Sequence, residues 1–385
     1  MSAADSASTA PRSQVWAHVG QPFTPDSFDI VVVGAGRMGA ACALYLRQLA
    51  PHLSLLLVEE GGLPNEEGAT ILAPGVWTAF DVPEGQEAAA EWTREQLLSG
   101  IEKLEVESRP LVELLRDGAD TVPSSEALAH APEALALLDP QVYPCAHVDD
   151  RALTYRPGQL ALQAAQQAIR LGANLLLNTR AEPGVGQVKL HRLTVTNTHQ
   201  IVVHETRQVR ARAVVVAAGA AGPVLVEHGV GLHTRHGRAY VQYPRLNLPT
   251  SAQTPVLRAG GLTLRPQNDG LTLIPPIHHR DPQGYQPAGG QLTGVLTGLR
   301  REVLEDLVAL MDGLPALSSD RLELGRSSAD IAGAWVSLPG GQPDTIPTAE
   351  QPAPGLFLLL GGPRADTLGL ATAHALATEV VATLD

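Results

Sequence analysis

Residues 28–60 read FDIVVVGAGRMGAACALYLRQLAPHLSLLLVEE, and the rest of the chain is organised around them. Four β-branched residues, Ile30 to Val33, run directly into Gly34-Ala35-Gly36-Arg37-Met38-Gly39. A continuously apolar run of this kind suits a parallel strand covered on both faces. Residues 37–49 follow as a small-residue helix ended by Pro51, and residues 53–58 form a second apolar strand. Together they make a βαβ unit. Its glycines have separate tasks. Gly34 permits the tight turn, Gly36 lets the backbone approach a pyrophosphate, and Gly39 lets helix and strand pack closely. A pyrophosphate would rest on the helix N-terminus, where free N–H groups and the dipole favour negative charge. Glu59, about twenty residues past Gly39, stands where an acid can bond ribose hydroxyls, with Glu60 beside it. FAD and NAD both satisfy such a unit.

The whole chain sets wider bounds. Its 385 residues are enough for two domains or one large interleaved one. The net charge of -13 argues against a nucleic-acid surface, which needs clustered Lys and Arg. Two cysteines, Cys42 and Cys145, are too few for a disulfide framework, so a reducing, cytoplasmic setting is expected. The first residues, MSAADSASTAPRSQ, lack the basic start and apolar core of a signal peptide, and residues 1–27 read as a flexible tail. No membrane span is expected.

Beyond the first unit, residues 87–115 carry a helical pattern broken or kinked at Pro110. Residues 117–155 look irregular, and 159–171 form a helix with Gly172 at its C-terminal cap. Strands are predicted at 175–177, 189–195 and 201–205, and again at 211–222, ARAVVVAAGAAG. GGLTLRPQNDGLTLIP predicts a hairpin turning near Asn268-Asp269-Gly270. Residues 301–314 are helical, and a last strand, Leu356–Leu360, meets a glycine turn and a C-terminal helix. The chain therefore does not continue as regular βαβ repeats, which disfavours a plain NAD-dependent dehydrogenase. It leaves the sheet twice and returns with VVVAAGA (214–220) and with LLLGGPRADTLG (358–369).

With those segments the chain resembles the D-amino-acid oxidase superfamily of FAD enzymes, especially the glycine oxidase and sarcosine oxidase branch. The resemblance covers residues 28–384. It implies an α/β fold in which a Rossmann-like FAD-binding domain (28–80, 151–230 and 349–385) is interleaved with an α+β substrate domain (81–150 and 231–348) built on an antiparallel sheet. It implies that Thr70, in EEGATILAPGVW, lies by the ribityl or phosphate region, and Ala181 by the adenine. Ala218 and Gly219 belong to the returning strand. Gly361, Gly362, Arg364, Thr367, Leu368 and Gly369 would hold the negative charge of a reduced flavin at its N1 and C2 carbonyl, at a helix start. Arg364 would also lie over the substrate, with Tyr240 and Tyr243 bordering the cavity and His278 near it.

The reaction so implied is oxidation of a carbon–nitrogen bond of an amine or amino acid, by hydride transfer to flavin N5. The protein orients the donor carbon, binds the free amine and excludes water, and needs no dedicated acid or base. Oxygen or another electron acceptor would reoxidise the flavin. No cysteine follows Cys145, which excludes attachment through a late cysteine, so the FAD is expected to be non-covalent. Homo-oligomer formation is left open.

One departure bears on the substrate. Where the branch carries W-A-G-L-R-P ahead of an Asp, this chain has AWVSLPGGQPD, and Pro339 falls where the carboxylate-clamping arginine belongs. Arg258, Arg265, Arg326 and Arg364 are candidate replacements. The alternative is a diverged flavin-binding protein, or a subunit of a complex, without amine oxidation of its own. No metal site is expected: His278-His279, His233 and His236 lack acids or cysteines at a second ligand spacing.

Overall fold

The computed structural model describes residues 13–196, 200–267, 270–277, 298–318, 320–325 and 331–385. At its centre is a nine-stranded sheet. Ser27–Val33 lies parallel between Leu55–Val58 and the long strand Ile201–Val216. Leu356–Leu360 joins the far side of that long strand, also parallel. These strands are buried on both faces: Val31 and Val32 have no exposed surface, and Leu356–Leu360 is buried throughout. Burying one such side chain stabilises the fold by about 2 kcal/mol. On one face the helix Arg37–Leu49 packs between the helices Pro157–Arg170 and Ala365–Leu384. Its inward residues Ala40, Ala41, Cys42 and Ala43 are small, so three helices approach closely over the sheet.

Ile201–Val216 is one 16-residue strand, where the sequence reads as two. Its first part pairs antiparallel with Gln187–Val195, and its last part enters the parallel core. The polar middle, HETRQVRAR, hides this continuity because that stretch is largely exposed. Residues 111–115 are also corrected. The helix Glu87–Glu95 gives way to a π turn at Gln96–Gly100, and after Pro110 the chain is the strand Leu111–Leu115. Cross-strand pairing decides there. Leu111–Leu115 lies parallel to Val256–Ala259 and antiparallel to Cys145–Asp149, itself within the stretch expected to be irregular.

Residues 13–27, expected to belong to a flexible tail, are docked against the central sheet. Val15–Trp16 adds an edge strand against Asn174–Leu176. Trp16 and Phe23 are 2% and 1% exposed and meet edge to face at 4.8 Å. Arg192 pins the segment by donating to the carbonyls of His18 and Gln21. The polar residues around the two aromatics conceal this docking.

Over one end of the central sheet stands a second, eight-stranded sheet. Val256–Ala259, Leu262–Gln267 and Gly270–Ile274 form its middle. The last two are the expected hairpin; Asn268 and Asp269 at its turn lie outside the described residues. Beside this roof, Gly237–Gln242 pairs with Gly333–Leu338. Contrary to expectation, one helix has the length and apolar character of a membrane span, Ala365–Leu384. Its apolar residues Leu368, Ala373, Leu376, Ala377 and Val380 are buried in the core.

Candidate active site

A cavity of about 1430 Å³ runs from the glycine turn at the ends of the central strands to the underside of the roof. At the turn, Gly34 has φ +100°, and a Cβ there would lie 2.6 Å from the Ala217 carbonyl oxygen. Gly36 caps the helix in extended conformation, where a Cβ would come within 2.9 Å of Thr70 Oγ1. Gly39 cannot carry a side chain, since its Cβ would sit 1.9 Å from the Gly34 oxygen. That contact holds helix to strand and aims the helix N-terminus into the cavity, as a dinucleotide pyrophosphate requires.

Glu59 is 6% exposed. Its carboxylate accepts from the Ala35 amide at 2.7 Å, the Gly61 amide at 3.1 Å and Asn65 Nδ2 at 2.8 Å. A carboxylate has about four acceptor positions, so one remains for a ribose hydroxyl. The acid thus also locks the glycine turn, and Asn65 is a partner that sequence spacing does not reveal. Glu60 forms an exposed pair with Arg180 at 2.6 Å. Thr70 Oγ1 accepts from the Arg37 amide at 3.2 Å. Ala35, Met38, Ala181, Ala218 and Gly219 all line the cavity.

At the other end the chain turns through Gly362, φ +70°, into the helix Ala365–Leu384, for which Arg364 is the N-cap. Gly362 and Arg364 face the cavity. Gly39, Thr367, Leu368 and Gly369 do not line it. The last three lie one turn into their helix, where a Cβ on Gly369 would meet Met38 Sδ at 2.9 Å. Gly369 thus lets the last helix pack closely on Met38 of the first.

Arg37, expected near the cofactor, lines the cavity and ties its two ends together. Its guanidinium is bound to Asp366, in the first turn of the last helix. Asp366 also accepts from the Tyr155 hydroxyl at 2.8 Å and the Gly75 amide at 3.1 Å. Burial alone would depress the Arg37 pKa, but the Asp366 carboxylate more than offsets it, and the net shift is upward. Burial, with Asp366 adding to it, holds the Tyr155 hydroxyl well above its usual range. Asp366 escaped the sequence reading; its only signal is an acid in the first turn of a helix.

Pro339 is buried against this turn, so that a Cβ on Gly362 would lie 2.7 Å from its Cδ. The Gly362 amide donates to Ser337 Oγ at 3.2 Å. Two of the candidate arginines meet instead at Asp81. Arg258 grips the Asp81 carboxylate through Nη1 and Nη2, each at 2.9 Å, and Arg364 Nη1 donates to the Asp81 carbonyl at 3.1 Å. Arg265 lies outside the lining and donates to the Tyr155 carbonyl at 2.8 Å. His278, His279 and Arg326 lie outside the described residues. Tyr240 does not reach the cavity, because strand alternation turns its ring onto Trp335, 5.4 Å between centroids. Tyr243 does line it, at 6% exposure, with its hydroxyl pKa raised by burial. His233 and His236 pair with different acids, Glu227 and Glu350, and share no site.

The family described as DAO, FAD dependent oxidoreductase, matches residues 29–383. The chain belongs to this family. FAD is accordingly the cofactor of this DAO-family oxidoreductase, and the glycine cradle, Glu59 and the paired helix starts fit it. No curated protein matches the chain by sequence. Among solved structures it is similar to L-amino acid deaminase from Proteus myxofaciens in complex with anthranilate. That match has 14% identity and a TM-score of 0.69, over 97% of this chain and 94% of that one. It is also similar to L-proline dehydrogenase from P. horikoshii, with 17% identity and a TM-score of 0.69, over 93% and 94%. Glycine oxidase from Geobacillus kaustophilus shares 17% identity and a TM-score of 0.65, over 93% and 95%. The DAO-family fold thus extends over nearly the whole chain.

Proposed function

We propose that this DAO-family enzyme oxidises a carbon–nitrogen bond of a small amine or amino acid. When bound, FAD supplies the acceptor for the hydride that leaves the donor carbon. The observation that carries this reading is the continuity of the cavity. One space joins the glycine turn and Glu59, which suit the dinucleotide, to a polar region under the roof bounded by Tyr243, Arg258 and Arg364. In this reading residues 28–80, 151–230 and 349–385 form the FAD-binding domain, and residues 81–150 and 231–348 the substrate domain.

The chain's own residues then have three tasks. Gly34, Gly36 and the N-terminus of Arg37–Leu49 hold the pyrophosphate, and Glu59 holds ribose. Arg364, at the cap of the last helix, and the dipole of that helix would meet the negative charge that develops on reduction. Val241, Val336 and Tyr243 supply the wall that excludes water and keeps the amine unprotonated and oriented. The FAD is held without a covalent bond, and oxygen or another acceptor closes the cycle.

The test is spectroscopic. The purified protein should be yellow, and one class among glycine, sarcosine, D- and L-amino acids and simple amines should bleach it without oxygen. The buried Pro339 favours a second reading, a flavoprotein without amine chemistry; a flavin spectrum that no member of the panel bleaches would select it.

A further inference from the structure

On the cavity side of the roof, one row of register partners crosses four strands: Glu113, Arg258, Thr263 and Ile274. All four line the cavity. Strand alternation fixes this, since Leu257 and Ala259, flanking Arg258, point into the opposite core and have no exposed surface. The guanidinium is oriented by Thr263, whose Oγ1 accepts from Nε at 3.3 Å, which leaves the Nη1/Nη2 fork for a carboxylate. Asp81 fills that fork with the bidentate geometry a substrate carboxylate would adopt. The two partners are unequally sheltered: the Arg258 side chain is 15% exposed and that of Asp81 is 35%. Asp81 can therefore move into water at lower cost than Arg258, which then keeps Glu113 as the acid beside it in the row and leaves its fork to another anion.

We propose that Arg258 is the carboxylate anchor of this enzyme, replacing the arginine lost at Pro339, and that Asp81 is its built-in competitor. The inference rests on the flavin-oxidoreductase reading of the same cavity and names the substrate class as a carboxylate-bearing amine. A substrate carboxylate exchanges with that of Asp81, keeping the kind of contact at Arg258. Arg364, bonded to the Asp81 main-chain carbonyl, keeps its tie during the exchange. Competition lowers the apparent affinity by the fraction of molecules in which the fork is free. The two members of the pair should thus act in opposite directions, which a purely structural ion pair cannot do.

The test titrates the FAD-loaded protein with benzoate and with its neutral analogue benzamide, followed by calorimetry and by perturbation of the flavin spectrum. Arg258→Met should weaken benzoate by about tenfold or more and leave benzamide unchanged. Asp81→Asn, which keeps size and main-chain carbonyl, should tighten benzoate several-fold. Should Arg258→Met fail to hold FAD, Arg258→Lys carries the test, because it keeps the charge and loses the fork; it should weaken benzoate less. Weakening by both Arg258→Met and Asp81→Asn, or no change in either, overturns the proposal. So does loss of benzoate binding in Arg364→Met with Arg258→Met unaffected. A wild-type protein that is bleached by an amine yet binds benzoate no better than benzamide loses the anchor and keeps the flavin reading. A wild-type protein without a flavin spectrum loses the reading on which both rest.

Discussion

A single carbon separates Gly39 from alanine, and there is no place for it. The added Cβ would fall 1.9 Å from the Gly34 oxygen, a backbone atom that cannot move without opening the glycine turn. Gly36→Ala meets only the Thr70 side chain, at 2.9 Å. Gly39→Ala should therefore abolish FAD retention and lower Tm severely, while Gly36→Ala should keep the fold and weaken FAD, as flavin content and thermal melts would report. Asp366→Asn leaves the buried Arg37 without its counter-charge and should cost about 3 kcal/mol, read by denaturant unfolding. The glycine turn and the placing of Glu59 beside it were legible because both follow from local spacing. Asp366 and Asp81 were not. Asp366 is 329 positions from Arg37, and Asp81 is 177 from Arg258, so only the fold brings them together.

Among elements, the first βαβ unit, the returning strands and the last helix were readable because each is a long apolar run with a glycine turn at its end. Leu111–Leu115 was not: LVELL fits a helical face as well as a strand, and its neighbours in the sheet come from residues 145–149 and 256–259. The N-terminal strand was missed for a similar reason, since two residues give no period. Its importance can be measured. Trp16→Ala should destabilise the protein by about 3–5 kcal/mol, whereas a true tail would tolerate it with no change in Tm. The helix Arg37–Leu49 carries a second readout. Burial pushes the Cys42 thiol from 9.0 up to about 12. The folded state then binds this proton more tightly than the unfolded state, so the associated stability is intact below pH 9 and is lost as pH rises toward 12. A thiol reagent at pH 8 should modify the half-buried Cys145 alone, and Cys42 only on unfolding.

For the whole molecule, the long strand Ile201–Val216 and the 329-residue reach from Arg37 to Asp366 explain why the cavity cannot be cut into a cofactor half and a substrate half. Its floor is built by parallel strand ends, and its cover by antiparallel strands whose alternation presents Arg258 to the same space. The family resemblance was legible, because glycine turns recur at the ends of separated strands. The substrate end was less so, because roof strands carry no spacing signature and Pro339 removed the expected one. The most direct measurement is the absorption spectrum of the purified protein during anaerobic addition of amino acids and amines. Loss of the flavin band with one class, and its return on admitting oxygen or an artificial acceptor, is the predicted result. A flavin band that no amine or amino acid diminishes would contradict the assigned reaction.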